Sequence, residues 1–212
     1  YKVSALANLE RWEESEAVSS RIIEESGELC PAWPFGTRGI SRLQLGRLEE
    51  AAEDLRIVAQ HDPEPDCWKD EGTDKVEHPY DFILVYVLGR LGHWGEAVET
   101  AQSLLARRPD HSATHHGLAL LLACAPDATV RDGPLSLRHA ALAGGEDWRQ
   151  YSLYAAGYAE CGDFEQAVHW AQRAHDEAPA KQQPAREERI EQYKRGEPRR
   201  LTPDDLAPEH DD

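Results

Sequence analysis

The chain has 212 residues, with 40 acidic against 23 basic side chains and a formal charge of −17. Such an acidic chain repels nucleic acid and anionic membrane surfaces, which excludes both as expected partners and leaves the acids as a solvated outer face. Apolar residues make up 40%, enough for a continuous core, yet no apolar run approaches the length of a membrane span. The expectation is a soluble chain, cytoplasmic or periplasmic, without direct membrane insertion. No signal peptide is visible. The sequence holds no methionine and begins at Tyr1 inside a helical pattern, which reads as a processed precursor or a piece of a larger array.

Taken in order, residues 1–27 read as a truncated helix pair, with Trp12 opening a second helix that carries Val18, Ile22 and Ile23. Residues 32–63 read as a complete pair turning at Gly46. The charged stretch 64–77, around Pro65 and Gly72, breaks the pattern and reads as an inserted surface loop. Residues 78–109 form the next pair, turning at Gly92. Residues 110–146 are a diverged pair, with helices from about His111 to Cys124 and from about Pro134 to Leu142. Asp132 is placed to cap the second of these, with Pro134 near its first turn. Residues 148–179 form a last pair turning at Gly162. Residues 180–196 read as a polar capping helix with Ile190 and Tyr193 on one face, and 197–212 as a flexible acidic, proline-rich tail.

One spacing is written three times. Gly46 is followed by Leu48, Ala51, Leu55, Val58 and Pro63; Gly92 by Trp94, Ala97, Ala101, Leu104 and Pro109; Gly162 by Phe164, Ala167, Ala171, Ala174 and Pro179. The offsets from the glycine are identical in all three. A glycine tolerates the left-handed turn between helices, the alanine marks a close helix crossing, the next two positions continue one apolar stripe, and the proline stops the helix. The pattern resembles the tetratricopeptide repeat, a helix-turn-helix unit of about 34 residues. That resemblance implies an all-α, right-handed superhelical solenoid of helix pairs closed by a C-terminal capping helix.

The C-terminal half is similar to a narrower bacterial group of such proteins, typical of planctomycete, acidobacterial and verrucomicrobial genomes. Pro126, Asp127, Arg131, Asp132 and Gly133 fall on its PD-x-x-x-RDG motif. Tyr158, Gly162 and Phe164 fall on its last repeat, and Tyr193, Gly196, Pro198 and Arg199 on its LxxYxxGxPxR ending. Ala125 stands where the group has cysteine or serine, and Arg200 replaces an aromatic-arginine ending. The resemblance bears on fold more than on function.

Chemistry is sparse in the sequence. Cys30, Cys67, Cys124 and Cys161 form no C-x-x-C pair, so no zinc or thioredoxin-type motif is present. Cys124 and Cys161 read as small buried residues, and a Cys30–Cys67 disulfide is left open. His111 and His115 are one helical turn apart and able to share a metal, but no H-E-x-x-H and no third ligand accompany them. No nucleophile elbow, P-loop or dinucleotide fingerprint occurs. The reading is a non-enzymatic module without cofactor or metal.

In tetratricopeptide arrays the first helix of each pair lines the inner groove, so the resemblance implies a protein or peptide partner there, within a multi-subunit complex. The groove residues expected to carry it are Trp33, Tyr86, Arg90, His111, Thr114, Arg149 and Ser152, aromatics and arginines being the usual interface anchors. The lysine-asparagine clamp of chaperone-binding relatives is missing, since Gly36 and Ile40 stand at its positions. Two rival readings are the substrate-presenting array of a larger enzyme, glycosyltransferase-like, and a metal-binding protein using His111 and His115.

Overall fold

The computed structural model describes residues 11–60 and 79–206. Among these the protein is all-α. These residues form ten α-helices, and no strand occurs among the described residues. The first ten residues, the loop expected at 64–77 with Cys67, and the last six residues lie outside the described residues.

The chain divides into two compact units, up to Leu91 and from Gly92 onward. The first holds α1 (Trp12–Ser26), α2 (Trp33–Gln44), α3 (Leu48–Gln60) and α4 (Pro79–Arg90). The second holds α5 (Trp94–Arg107), α6 (Ser112–Cys124), α7 (Gly133–Ala143), α8 (Trp148–Glu160), α9 (Phe164–Glu177) and α10 (Gln183–Lys194). A 3-10 turn, Pro203–Leu206, follows. In each unit, helices adjacent in the chain pack on one another. First helices also meet first helices, α2 with α4 and α6 with α8.

The repeated spacing explains the packing. Gly46, Gly92 and Gly162 each stand in the turn between consecutive helices, at φ of 76°, 75° and 80°. At two of these turns the backbone closes the helix in the same way. Arg47 N–H donates to Arg42 O at 2.8 Å, and Asp163 N–H to Tyr158 O at 2.9 Å; this is the glycine-terminated cap that satisfies the last carbonyls. Ala51, Ala97 and Ala167 are fully buried, as expected of small residues where helices cross.

One polar cluster departs from the expectation that the acids lie on a solvated face. Asp54, on α3, is 2% exposed. Its two oxygens accept from Arg38 Nε and Nη2 at 2.8 and 2.7 Å, and Arg42 Nη1 adds a third bond at 2.8 Å. Arg42 also reaches Glu16 of α1 at 3.2 Å, and Arg47 pairs with the same carboxylate at 3.0 Å. The network ties three helices through one buried acid. Burial without these partners would be costly, which is why the carboxylate and the arginines occur together.

In the second unit, Asp132 caps α7 as expected, accepting from Leu135 N–H at 2.8 Å. Ser136 Oγ donates to Ala119 O at 2.8 Å, stitching α7 to α6. The capping helix α10 buries Ile190 and Tyr193 against Ala155, Ala159, Ala167 and Ala171. Cys124 is buried as expected, whereas Cys161 is exposed, because it ends α8 at the turn instead of lying within the helix. The start of the expected flexible tail packs back: Leu201 is 2% exposed and its N–H donates to Cys124 O at 2.8 Å.

Candidate functional site: an arginine-lined cavity in the second unit

The second unit contains a cavity of about 400 Å³. Its walls come from α6 through His116 and Leu120, from α8 through Trp148, Arg149 and Ser152, from α9 through Ala171 and Ala174, and from α10 through Arg186, Arg189 and Tyr193, with Arg199 and Asp205 from the following segment. The first helices α6 and α8 supply one part of the wall, and α9 with the capping helix α10 the rest.

The geometry is built on Trp148, the first residue of α8. Asp147 fixes that helix start by accepting from Arg149 and Gln150 N–H at 3.0 Å each. These backbone bonds, that from Gln150 foremost, hold the Asp147 carboxyl below the usual carboxylate range. The Arg149 guanidinium lies over the Trp148 ring at 4.5 Å from its centroid, and that of Arg186 at 3.8 Å. Arg149 is exposed and its Nη1 lies 3.5 Å from Asp147. Deeper in, Arg189 Nη1 donates to Gln192 Oε1 at 2.6 Å. Burial, and then the nearby charge of Arg199, pull the Arg189 pKa down. Arg199 Nη2 pairs with Asp205 at 3.2 Å. The Arg199 Nε is buried with no hydrogen-bond partner among the described residues. His116 has its pKa lowered, by burial first.

Of the groove residues expected from sequence, Arg149 and Ser152 are brought together in this cavity. Ser152 Oγ donates to Trp148 O at 2.8 Å. His111 and Thr114 do other work: His111 caps α6, its Nδ1 lying 2.6 Å from Thr114 Oγ1 and accepting from Thr114 N–H at 3.3 Å. Thr114 is 1% exposed and presents almost no surface. In the first unit, Trp33 opens α2, and Tyr86 and Arg90 lie one turn apart on α4; all three are half-buried. Burial raises the Tyr86 pKa, with Arg90 opposing. His116, Trp148, Arg186, Arg189 and Arg199 were not anticipated. A signal existed: Arg186, Arg189 and Tyr193 share one face of α10 at helical spacing.

The histidines are structural in their contacts. His115, 3% exposed, stacks on His139 with ring centroids 5.1 Å apart. His115 Nε2 lies 2.8 Å from Pro109 O, and the two Nδ1 atoms are 2.8 Å apart. Only a carbonyl oxygen faces Nε2, so Nε2–H donates there, and His115 Nδ1 then accepts from His139 Nδ1–H. This leaves His115 Nδ1 without a proton of its own, while His139 donates from Nδ1 whether or not its Nε2 also carries one. Among the described residues, no group of three or more His, Cys, Asp or Glu side chains is placed to hold a metal.

A pH dependence follows. Burial, and then His115, hold the His139 pKa below the ordinary value of 6.5, and burial does the same for His116. The unfolded chain therefore takes up protons first on acidification, and stability present above 6.5 is lost as pH falls through and below it. The thermal midpoint of the second unit is expected to drop between about pH 7.5 and pH 5.5, and a His139→Gln variant to show a shallower drop. Equal slopes in both proteins would show that His139 does not contribute to the pH dependence.

No helix among the described residues is long and apolar enough to cross a membrane. No family model matches the chain, and no curated protein matches it. Among solved structures, the C-terminal part of a TPR repeat-containing protein from Cytophaga hutchinsonii aligns with a TM-score of 0.62 at 10% identity, covering 92% of this chain and 70% of that one. At that identity the likeness speaks to fold. The chain has a tetratricopeptide-like, all-α fold, and a structure similar to it is that of a tetratricopeptide repeat-containing protein.

Proposed function

We propose that the chain is a non-catalytic interaction module, an accessory or scaffold subunit of a larger complex, that holds a protein or peptide partner against faces built by its first helices. In the first unit the anchors are Trp33, Tyr86 and Arg90. In the second they are Arg149 and Ser152, with His111 and Thr114 holding the start of α6 in place. The observation that carries this reading is the cavity lined by α6, α8, α9 and α10, which combines an indole, several guanidinia and half-buried polar groups. Aromatic and arginine side chains in a concave setting are what interface anchors are made of.

Affinity capture from native cells tests it, comparing the wild type with Trp33→Ala, Arg90→Ala and Arg149→Ala. Loss of an anchor is expected to cost about 1–2 kcal/mol, a clear drop in recovered partner. Full recovery by all three variants would overturn the assignment to these faces.

A further inference from the structure

The cavity of the second unit is cationic in a chain with a formal charge of −17. Arg149, Arg186, Arg189 and Arg199 line it, while Asp205 is the only acidic side chain among the lining residues. The arginines fall into two centres. Arg149 and Arg186 both lie on the Trp148 ring, at 4.5 and 3.8 Å from its centroid. Stacking on an aromatic face orients a guanidinium and directs its N–H edge outward, the geometry that receives a carboxylate. Asp147 flanks this centre, near Arg149, and Arg186 Nη1 donates to Gln182 O at 2.8 Å and to its Oε1 at 3.0 Å. The second centre is Arg189 with Arg199. It already holds one carboxylate of the chain itself: Asp205, 3.2 Å from Arg199 Nη2. Asp205 is exposed, on the short 3-10 turn Pro203–Leu206, where Thr202 N–H and Oγ1 donate to it at 2.7 Å.

We propose that this cavity binds an acidic segment of the protein partner, carrying at least two Asp or Glu side chains, one carboxylate at Arg149 and Arg186 and another at Arg189 and Arg199, where it takes the place of Asp205. This rests on the reading of the chain as a partner-binding module and names the chemistry of the partner. A single phosphate would satisfy one centre and leave the other. A volume of about 400 Å³ lies in the range of ligand pockets and accommodates a short peptide stretch.

Calorimetric titration of the full chain at low salt tests the proposal. The probes are a short peptide alternating Ser and Glu, its Ser-Gln counterpart, the Ser-Gln peptide with one phosphoserine, and inorganic phosphate. The Ser-Glu peptide is expected to bind at least about tenfold more tightly than each of the others. Arg149→Gln and Arg189→Gln should each weaken it about tenfold, with circular dichroism unchanged. Arg189→Lys keeps the charge and should recover part of the loss. Asp205→Asn should strengthen binding, because the internal competitor is gone; a merely structural role for Asp205 predicts no such gain. Arg173→Gln, on the Tyr151 ring outside the cavity, should change nothing. Equal binding of the Ser-Glu and Ser-Gln peptides would overturn the acidic-segment inference while leaving a peptide-docking face intact. Equal binding of phosphoserine peptide or phosphate would replace it with a single-anion subsite. Failure of every probe would overturn it as well, and partner capture with the Arg149 variant would then decide the docking reading separately.

Discussion

Replacing Asp54 with alanine is expected to destabilise the first unit by about 3–5 kcal/mol, the cost of breaking a buried charge network from one side. Three hydrogen bonds disappear, and the Arg38 and Arg42 guanidinia, whose side chains are 16% and 15% exposed, lose their shared carboxylate. Asp54→Asn keeps one acceptor oxygen but removes the charge, so an intermediate loss is expected. The exposed pair Arg11–Glu14 provides the contrast: its side chains are 52% and 56% exposed, and Arg11→Ala should cost less than about 1 kcal/mol. Urea unfolding, with hydrogen exchange to assign the loss to residues 11–60, measures both. A loss below about 1 kcal/mol for Asp54→Ala would mean that the arginines re-solvate freely and that the network does not hold α1, α2 and α3 together.

The second large effect is expected at Gly133, the last residue of the PD-x-x-x-RDG motif. A Cβ there would stand 2.7 Å from Cys161 Sγ, 2.9 Å from Cys161 N and 3.1 Å from Glu160 C. Two of those atoms are backbone, so α7 and α8 would have to separate. Gly133→Ala should cost about 2–3 kcal/mol by overpacking. Adding Cys161→Ala removes the sulfur clash but not the backbone one, so the double variant should recover only part of the loss. Full recovery would place the whole strain on the side chain. The neighbouring residues show what this joint supports. Arg131 Nε donates to Glu160 Oε1 at 2.9 Å, while its Nη1 donates to Ala125 O and Pro126 O, each at 2.9 Å. Arg200 Nη2 lies 2.8 Å from the other Glu160 oxygen, an ion contact off the hydrogen-bonding direction. Through Arg200 and Leu201 the joint anchors the chain just beyond Arg199, at the base of the arginine-lined cavity.

The helices were legible because local rules fix them. The glycine turn, the small crossing residue and the stop proline recur at one spacing, and Asp132 announces a helix start by its type and position alone. Asp54 was not legible. Its burial depends on Arg38 and Arg42 arriving from another helix, and in one dimension it looks like any acid on a polar face. Half of the candidate site was hidden for the same reason. Arg149 and Ser152 lie on a first helix and follow from the repeat register. Arg186, Arg189 and Arg199 follow from the docking of α10 and the return of the segment after it, which no spacing rule encodes. Thr114 shows the converse: the register places it on the groove face, but its side chain closes the α6 cap and is buried.

Hydrogen exchange of the full chain, free and bound to its captured partner, shows where the partner sits. Slowed exchange is predicted in the first turns of α6 and α8, residues 112–116 and 148–152, and along α10. Little change is predicted in α7, which does not line the cavity. Slowing confined to α7, with α6, α8 and α10 exchanging as in the free protein, would place the partner outside the cavity and overturn this placement.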